Sequence, residues 1–316
     1  ALRCVTVIYG GVLAPVDDAV AARLVRALMG FLRRREADAV YFNHLRMDSP
    51  FYRQVATIPH LLCRSHFPAV HAHWQMSIPR SLEEFYLGLS KKHRGNIRRA
   101  IKKLEEEWRD RLEIVHYRQP REVERLCEDV ERVSLKTYQQ SLGAGFQNTP
   151  LTRSIANTDA QRGRLHVSVL YIQNQPCAFQ WGTTFGRTYF LERIGYDPAW
   201  TKSSVGTVLF VKVLERLCAD EGVDCMDFGF GGAEYKESYG SESWQEAATM
   251  YILAPRFYPL LVGALESANA GFVRALTWIV RRVELLAWVK RLWRRTLQKT
   301  PAQQGAMAQK PDRAVE

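Results

Sequence analysis

The chain has 316 residues, enough for one large or two modest domains. With 47% hydrophobic and 24% charged residues it is excluded from the disordered class, and its most apolar stretch, Phe257–Leu297, is broken by Glu266, Arg274, Arg281, Arg282 and Glu284, so it falls short of the ~20 residues a membrane span requires. The net charge of +11 is local: Ser90–Arg111 holds nine Lys/Arg against four Asp/Glu and Arg256–Glu316 eleven against four, which attracts phosphates, anionic lipid or nucleic acid without choosing among them.

In chain order, Val5–Tyr9 is expected to be a short buried strand ended by Gly10-Gly11. Asp17 or Asp18 caps a helix running to about Arg35, with Val20, Leu24, Ala27, Leu28 and Phe31 on its apolar face. Ala39–Phe42 is a second strand, Phe51–Ala56 a short helix, and Trp74–Ile78 a third strand after an irregular stretch. Ser81 and Glu84 form a capping box that opens a helix over Leu82–Leu89. A longer basic helix follows over Lys92–Glu107, then a strand at Leu112–His116 and helices over Glu122–Gln140 and Leu151–Ala160.

The period then changes. Leu165–Ile172, Cys177–Phe185 and Thr188–Tyr196 are β-rich runs joined by Gln173-Asn174-Gln175 and Gly186-Arg187, both suited to tight hairpins. Val205–Ala219 is an amphipathic helix, Cys225–Phe228 a short strand and Ala247–Leu253 a last one. A meander placed between helices in this way predicts an α+β fold. Thr300–Glu316, rich in Ala, Gln and charge, is expected to be disordered.

Six scattered cysteines without a CxxC pair suit a reducing compartment rather than a disulfide framework. The chain starts at Ala1, so a clipped amino end is expected; no leader with a cleavage site is visible, and the expected location is cytoplasmic.

The most informative stretch runs from Tyr196-Asp197-Pro198 through Lys202-Ser203-Ser204-Val205-Gly206-Thr207. A strand ends, a turn follows, and a glycine stands in the first turn of a helix. Free amides and the positive dipole end of that turn can hold a phosphate, and Gly206 carries no Cβ to block its approach. The alternative is an ordinary strand-loop-helix with a small packing residue. Glu192, on the strand leading into this loop, is a candidate general base in partly apolar surroundings; the alternative is a surface carboxylate paired with Arg193 or Arg187. Lys236 could neutralise a phosphate or oxyanion and Tyr235 protonate a leaving group, unless both only solvate and pack. Asp227 sits at a strand end and can hold the glycine turn after it. Arg94, Arg98 and Lys102 recur at i, i+4 and i+8 and form one stripe that could bind a phosphorylated acceptor, a coenzyme phosphate or tRNA.

The order strand, Ser204-Val205-Gly206-Thr207, helix resembles the acyl-CoA loop of the GNAT acyltransferase superfamily, with Ser204 where that pattern has its first glycine and Thr201 where it has Gln or Arg. The basic run Ser90–Leu104 and the segment Asp227-Phe228-Gly229 to Tyr235-Lys236 are similar to stretches of the FemAB-like and CelD-like branch, and with Tyr196-Asp197-Pro198 they stand in that branch's order over Leu82–Ala254. The resemblance implies a mixed, largely antiparallel GNAT sheet flanked by helices at 80–255. It also implies that residues 1–79 are a worn first GNAT unit in tandem. It implies acyl-CoA, acetyl-CoA among them, as co-substrate, and as acceptor the amine of a sugar, amino acid or envelope precursor. Two readings stay open beside it: FemAB-type transfer from aminoacyl-tRNA, and a non-catalytic scaffold at a membrane or on nucleic acid.

His60, Cys63, His66, His71 and His73 match the spacing of no compact zinc module, so no metal is expected. Residues 256–299 carry Trp278, Trp288 and Trp293 among Arg281, Arg282, Lys290, Arg291, Arg294 and Arg295, a pattern that suits a helix lying on the inner, anionic membrane face.

Overall fold

The computed structural model describes residues 1–9, 11–12, 14–137, 145–232 and 234–282. Within the carboxyl-terminal extension, Trp288, Trp293 and the cations from Lys290 onward, like the 300–316 tail, lie outside the described residues, and so does the end of the helix expected over Glu122–Gln140. The chain divides into two compact units. Among the described residues the first joins Ala1–Gln75 to 230–282, and the second is the intervening Met76–Gly229. The boundary therefore falls in front of the last strand rather than after it.

In the first unit, β1 (Cys4–Ile8) pairs in parallel with β2 (Ala39–Arg46), and β9 (Glu242–Leu253) lies antiparallel between β2 and β3 (Val70–Ser77). α1 (Asp18–Arg33) starts where the Asp17 carboxylate accepts from the Val20 amide at 2.7 Å. Its buried line is Ala21, Val25 and Leu32, with Leu24, Leu28 and Phe31 flanking, so the face is rotated by about one residue from the expected one. α2 (Pro50–Thr57) begins with Ser49 as cap and Pro50 in the first turn, where a missing N–H costs nothing. These helices cover Val40, Phe42, Leu45, Ala247, Met250 and Ile252. Phe42 and Leu45 are three apart, yet both enter this core. Strict alternation forbids that, and the break is at His44, whose φ of 57° drops the 44/248 pair from the ladder. β3 begins four residues before the expected strand and β9 five, because each borrows regularity from its neighbour's ladder rather than from its own apolar pattern. α8 (Glu234–Tyr239) precedes β9, and α9 (Phe257–Arg282) follows it, with the Tyr251 hydroxyl donating to Glu266 at 2.5 Å. No helix among the described residues is long and apolar enough to cross a membrane. The outer face of α9 nevertheless exposes Phe257, Leu261, Leu265, Phe272 and Leu276.

The second unit begins with α3 (Leu82–Gly88), capped by Ser81, and α4 (Lys91–Trp108), capped by Ser90. Its sheet runs β8 (Cys225–Phe230), β7 (Thr188–Tyr196), β6 (Gln175–Phe185), β5 (Leu165–Ile172), β4 (Leu112–Tyr117). The β5–β6 turn has positive φ at both Gln173 and Asn174, the geometry that matches strand twist in a two-residue hairpin. α5 (Val123–Ser134) and α6 (Pro150–Gln161) cover Val167, Val169, Phe179 and Trp181, and α7 (Val205–Cys218) lies against β5, β6 and β7. β5 is accordingly buried along nearly all its length, which is why it reads as an apolar run without alternation. Under α5, the Tyr171 hydroxyl donates to the buried Asp129 at 2.7 Å and meets the Tyr117 hydroxyl at 2.5 Å.

Candidate functional site

β7 and β8 are parallel neighbours, but their ladder covers only Thr188–Phe190 against Cys225–Asp227. Two local features part them there. In β7 the pairing passes from Leu191 opposite Gly182 to Arg193 opposite Trp181, so Glu192 is the extra residue of a bulge, which bends its strand. In β8 the buried Asp227 accepts from the Gly229 amide at 2.6 Å, and Gly229 at φ 67° turns the chain away. Beyond Phe190, β7 keeps its β6 partner and faces a gap on its other edge, where backbone donors are available to a ligand carbonyl.

At the end of β7 the backbone is pinned. The Asp197 amide donates to the Cys177 carbonyl at 2.8 Å, and the buried Asp197 carboxylate accepts from Ala199 N at 3.0 Å and from Lys136 Nζ at 2.7 Å. A 3-10 turn over Pro198–Ser203 leads to Ser204 at φ 52°, and no side chain caps α7. The first-turn amides of Val205, Gly206 and Thr207 therefore precede the first helical bond, made by Val208 N to Ser204 O at 3.0 Å, and are left for an anion. Val205 is buried, so it offers only its backbone; Lys202 is exposed at the rim, and Ser203, Ser204 and Thr207 are half-buried. A Cβ on Gly206 would stand 3.3 Å from the Tyr196 ring, so the glycine keeps this corner open.

The other expected residues are spread more widely. Glu192 is exposed and accepts from the Thr183 hydroxyl at 2.6 Å, so its surroundings are polar rather than apolar, because the bulge turns it outward. Asp227 holds the glycine turn. Tyr235 and Lys236 lie on α8 of the first unit, where the Lys236 ammonium donates to the Phe230 carbonyl at 2.8 Å. In the α4 stripe, Arg98 is occupied: it donates to both Glu83 oxygens at 2.8 and 3.0 Å and stacks 4.7 Å over Tyr86. Lys102 stands 3.7 Å from Glu106, and Arg94 is half-buried near the start of the helix. Among the described residues no group of three or more His, Cys, Asp or Glu is arranged to hold a metal ion.

One constellation escaped the sequence. In the first unit the Glu246 carboxylate is buried between His44 Nδ1 at 3.2 Å and His73 Nδ1 at 3.0 Å and accepts from Trp244 Nε1 at 2.7 Å. Burial alone would raise this carboxyl, but the bonds from His73 and Trp244 and the nearby imidazoles outweigh it and hold it below its ordinary value. Burial in turn keeps the His44 imidazole below its ordinary range despite the carboxylate. Phe230 stacks on His44 at 3.7 Å. A carboxylate only accepts, so Nδ1 of His44 carries the proton and Nε2 is a proton acceptor. The only trace in the sequence is the alternation His71-x-His73 in a strand; Glu246, 202 residues from His44, gave none.

Residues 91–237, from the first residue of α4 into α8, match the family model described as Acetyltransferase (GNAT) domain. No curated protein sequence matches the chain. Among solved structures, FemX is similar with a TM-score of 0.54 at 8% identity, over 78% of this chain and 80% of that one. A conserved protein of Bacteroides thetaiotaomicron is similar at 0.52 with 13% identity, over 73% and 75%. The DUF2156 domain of a proposed lysylphosphatidylglycerol synthetase from Agrobacterium fabrum is similar at 0.50 with 12% identity, over 80% and 78%. At such identities the likeness concerns the fold. The fold is α+β, GNAT-like, with a largely antiparallel sheet flanked by helices, as the sequence led one to expect.

Proposed function

We propose that the chain is an N-acyltransferase taking its acyl group from acyl-CoA, acetyl-CoA among them, and passing it to the amine of a sugar, amino acid or envelope precursor. The observation that carries this reading is the β7–β8 gap opening beside the uncapped amino end of α7. A diphosphate on the amides of Val205–Thr207 directs a thioester toward the gap, where β7 amides stabilise the oxyanion formed as the amine attacks. The carbon–sulfur bond then breaks, the thiolate leaves and takes up a proton, and the nitrogen loses one. Glu192, on the bulge at that gap, is the proposed acceptor of the amine proton through water. The roles given to Tyr235, Lys236 and the α4 stripe rest on the resemblance alone.

The test is calorimetric titration with acetyl-CoA and longer acyl-CoAs, beside a Gly206→Trp variant whose side chain fills the corner at Tyr196. Saturable binding that weakens at least 100-fold in the variant is the expected result. Binding untouched by the substitution would remove the donor from this helix.

A second reading, aminoacyl transfer from tRNA of the FemAB kind, is favoured by Ser204, a non-glycine residue at positive φ where the CoA pattern has glycine, and by the likeness to FemX. Its mark is transfer activity abolished by ribonuclease; activity that survives ribonuclease with acyl-CoA as donor excludes it. Binding to neither donor would leave the scaffold reading. Contact of α9 with an anionic membrane is a separate proposal resting on its exposed apolar stripe. Flotation with anionic vesicles should be lost in Leu265→Ser with Phe272→Ser, and undiminished flotation refutes it.

A further inference from the structure

At the opposite end of α7 from Gly206, the second unit gathers cations that the donor reading does not use. A narrow pocket between β4, the start of β5 and the last turns of α7 is lined by His116, Arg118, His166, Ser168, Tyr189 and Arg216. It shares Arg118 and His166 with a wider groove that adds Arg162, Arg164, Thr184 and Asp220. Arg118 and Arg216 thus line the narrow pocket, and Arg118, Arg162 and Arg164 the groove, with Asp220, 3.9 Å from Arg118, as the one carboxylate among the described residues lining either. Arg118 donates to His166 Nδ1 at 3.0 Å, which obliges that nitrogen to be unprotonated. His116 Nδ1 meets the Ser168 hydroxyl at 2.7 Å.

The arrangement is electrostatically unfinished. Burial, and then the neighbouring Arg216, lower the pKa of the Arg118 guanidinium, which stays charged, and Asp220 only partly offsets them. The Thr184 hydroxyl is buried and has no hydrogen-bond partner among the described residues. Arg164, stacked 4.8 Å over Phe185, has its guanidinium plane fixed in advance. The carboxyl end of α7 is the negative pole of its dipole and favours the Arg216 cation in its last turn, so an anion bound here is held by side-chain charge and not by helix amides. Two planar forks at the narrow pocket and two more along the adjoining groove, beside two neutral histidines and an unsatisfied hydroxyl, suit a group with oxygens on several sides, which is a phosphate rather than a lone carboxylate.

We propose that this pocket is a second ligand site, which binds a small phosphorylated anion through Arg118, Arg216 and the Arg162/Arg164 rim. Gly206 and Arg216 stand ten residues apart on one helix, about 15 Å at 1.5 Å per residue, so the site is separate from the donor cradle and does not depend on that reading.

Calorimetric titration of the full chain with inorganic pyrophosphate at low salt tests it. In Gly206→Trp, where the donor cradle is filled, one saturable site is expected to remain, and adding Arg118→Gln weakens that site at least tenfold. Arg162→Gln, on the exposed rim, should weaken it several-fold without touching the packing, which guards against a misfolded Arg118 variant; circular dichroism checks both. The proposal is overturned if no binding is seen, if neither arginine variant changes the affinity, or if binding vanishes in Gly206→Trp and persists in the arginine variants. A single-stranded RNA oligonucleotide that binds more tightly than pyrophosphate through the same arginines would also overturn it, replacing a small ligand with nucleic acid.

Discussion

Both units crowd histidines together, and burial holds His44 in the first and His116 and His166 in the second below the ordinary imidazole range, yet the two clusters are opposite in kind. In the first unit the crowd surrounds an anion: His44 and His73 flank Glu246, and Trp244 takes up a remaining lone pair. In the second the crowd surrounds cations: burial, with Arg216 and Arg118, pushes His116 and His166 down to about 4. The first cluster contains its own counter-charge and is complete. The second holds more cations than its one lining carboxylate, Asp220, and is the place proposed above for a phosphorylated anion. The same residue type thus sits in two different networks, and the sign of the neighbouring charge distinguishes them.

Removing the central charge should separate them most sharply. Glu246→Gln strips two buried imidazoles of their shared acceptor and should cost about 2–4 kcal/mol in urea unfolding; a loss below ~0.5 kcal/mol would mean that the first cluster is solvated. Acid is the next lever. His116 and His166 bind protons less readily folded than unfolded, so between pH 6.5 and about 4 the unfolded state holds more protons and stability falls as pH falls, levelling below 4. Arg118, Arg216, Asp220, Ser168 and Tyr189 face these rings. Both rings are partly solvent-reached, so the loss should be on the order of 2 kcal/mol rather than the full value of the shifts. Ring resonances followed by NMR would show it residue by residue, and rings titrating near 6.5 would refute it. The smallest effect has the opposite sign. Arg216→Gln relieves repulsion and should leave the unliganded protein unchanged or more stable by about 0.5 kcal/mol at low salt, with His116 moved upward. A clear destabilisation would show that Arg216 is held by contacts other than charge.

The sequence carried most of the frame. Hairpin turns at Gln173-Asn174 and Gly186-Arg187, caps at Asp17 and Ser81, and the glycine start at Gly206 are local signals, and local chemistry fixed those elements. It carried much less of the sites, because these are non-local. The dense charge at Ser90–Arg111 drew the eye, but Arg98 there is spent on Glu83 and Tyr86. The arginines that converge, at 118, 162, 164 and 216, are scattered through the chain and unremarkable in any window. Glu192 was found as the acidic residue beside the loop, but its outward turn depends on a bulge against Gly182, where a Cβ would run into the buried Tyr189 ring. The backbone break at His44 has only a weak local signal, since the adjacent Asn43 stays in the ladder and His44 itself takes the positive φ.

One topological detail bears on how the chain comes into being. β9 lies between β2 and β3, yet it is translated after every strand of the second unit. At roughly 5–20 residues per second, β2 and β3 wait on the order of ten seconds or more for the partner that separates them. Val40 and Phe42, paired with β1 on one edge, and Leu45 wait with the other edge of β2 open. The second unit, contiguous from Met76 to Gly229, can close meanwhile. The residues that leave the ribosome first are thus among the last to be sheltered, and any cellular helper that attends this protein during synthesis would find its work at the amino end.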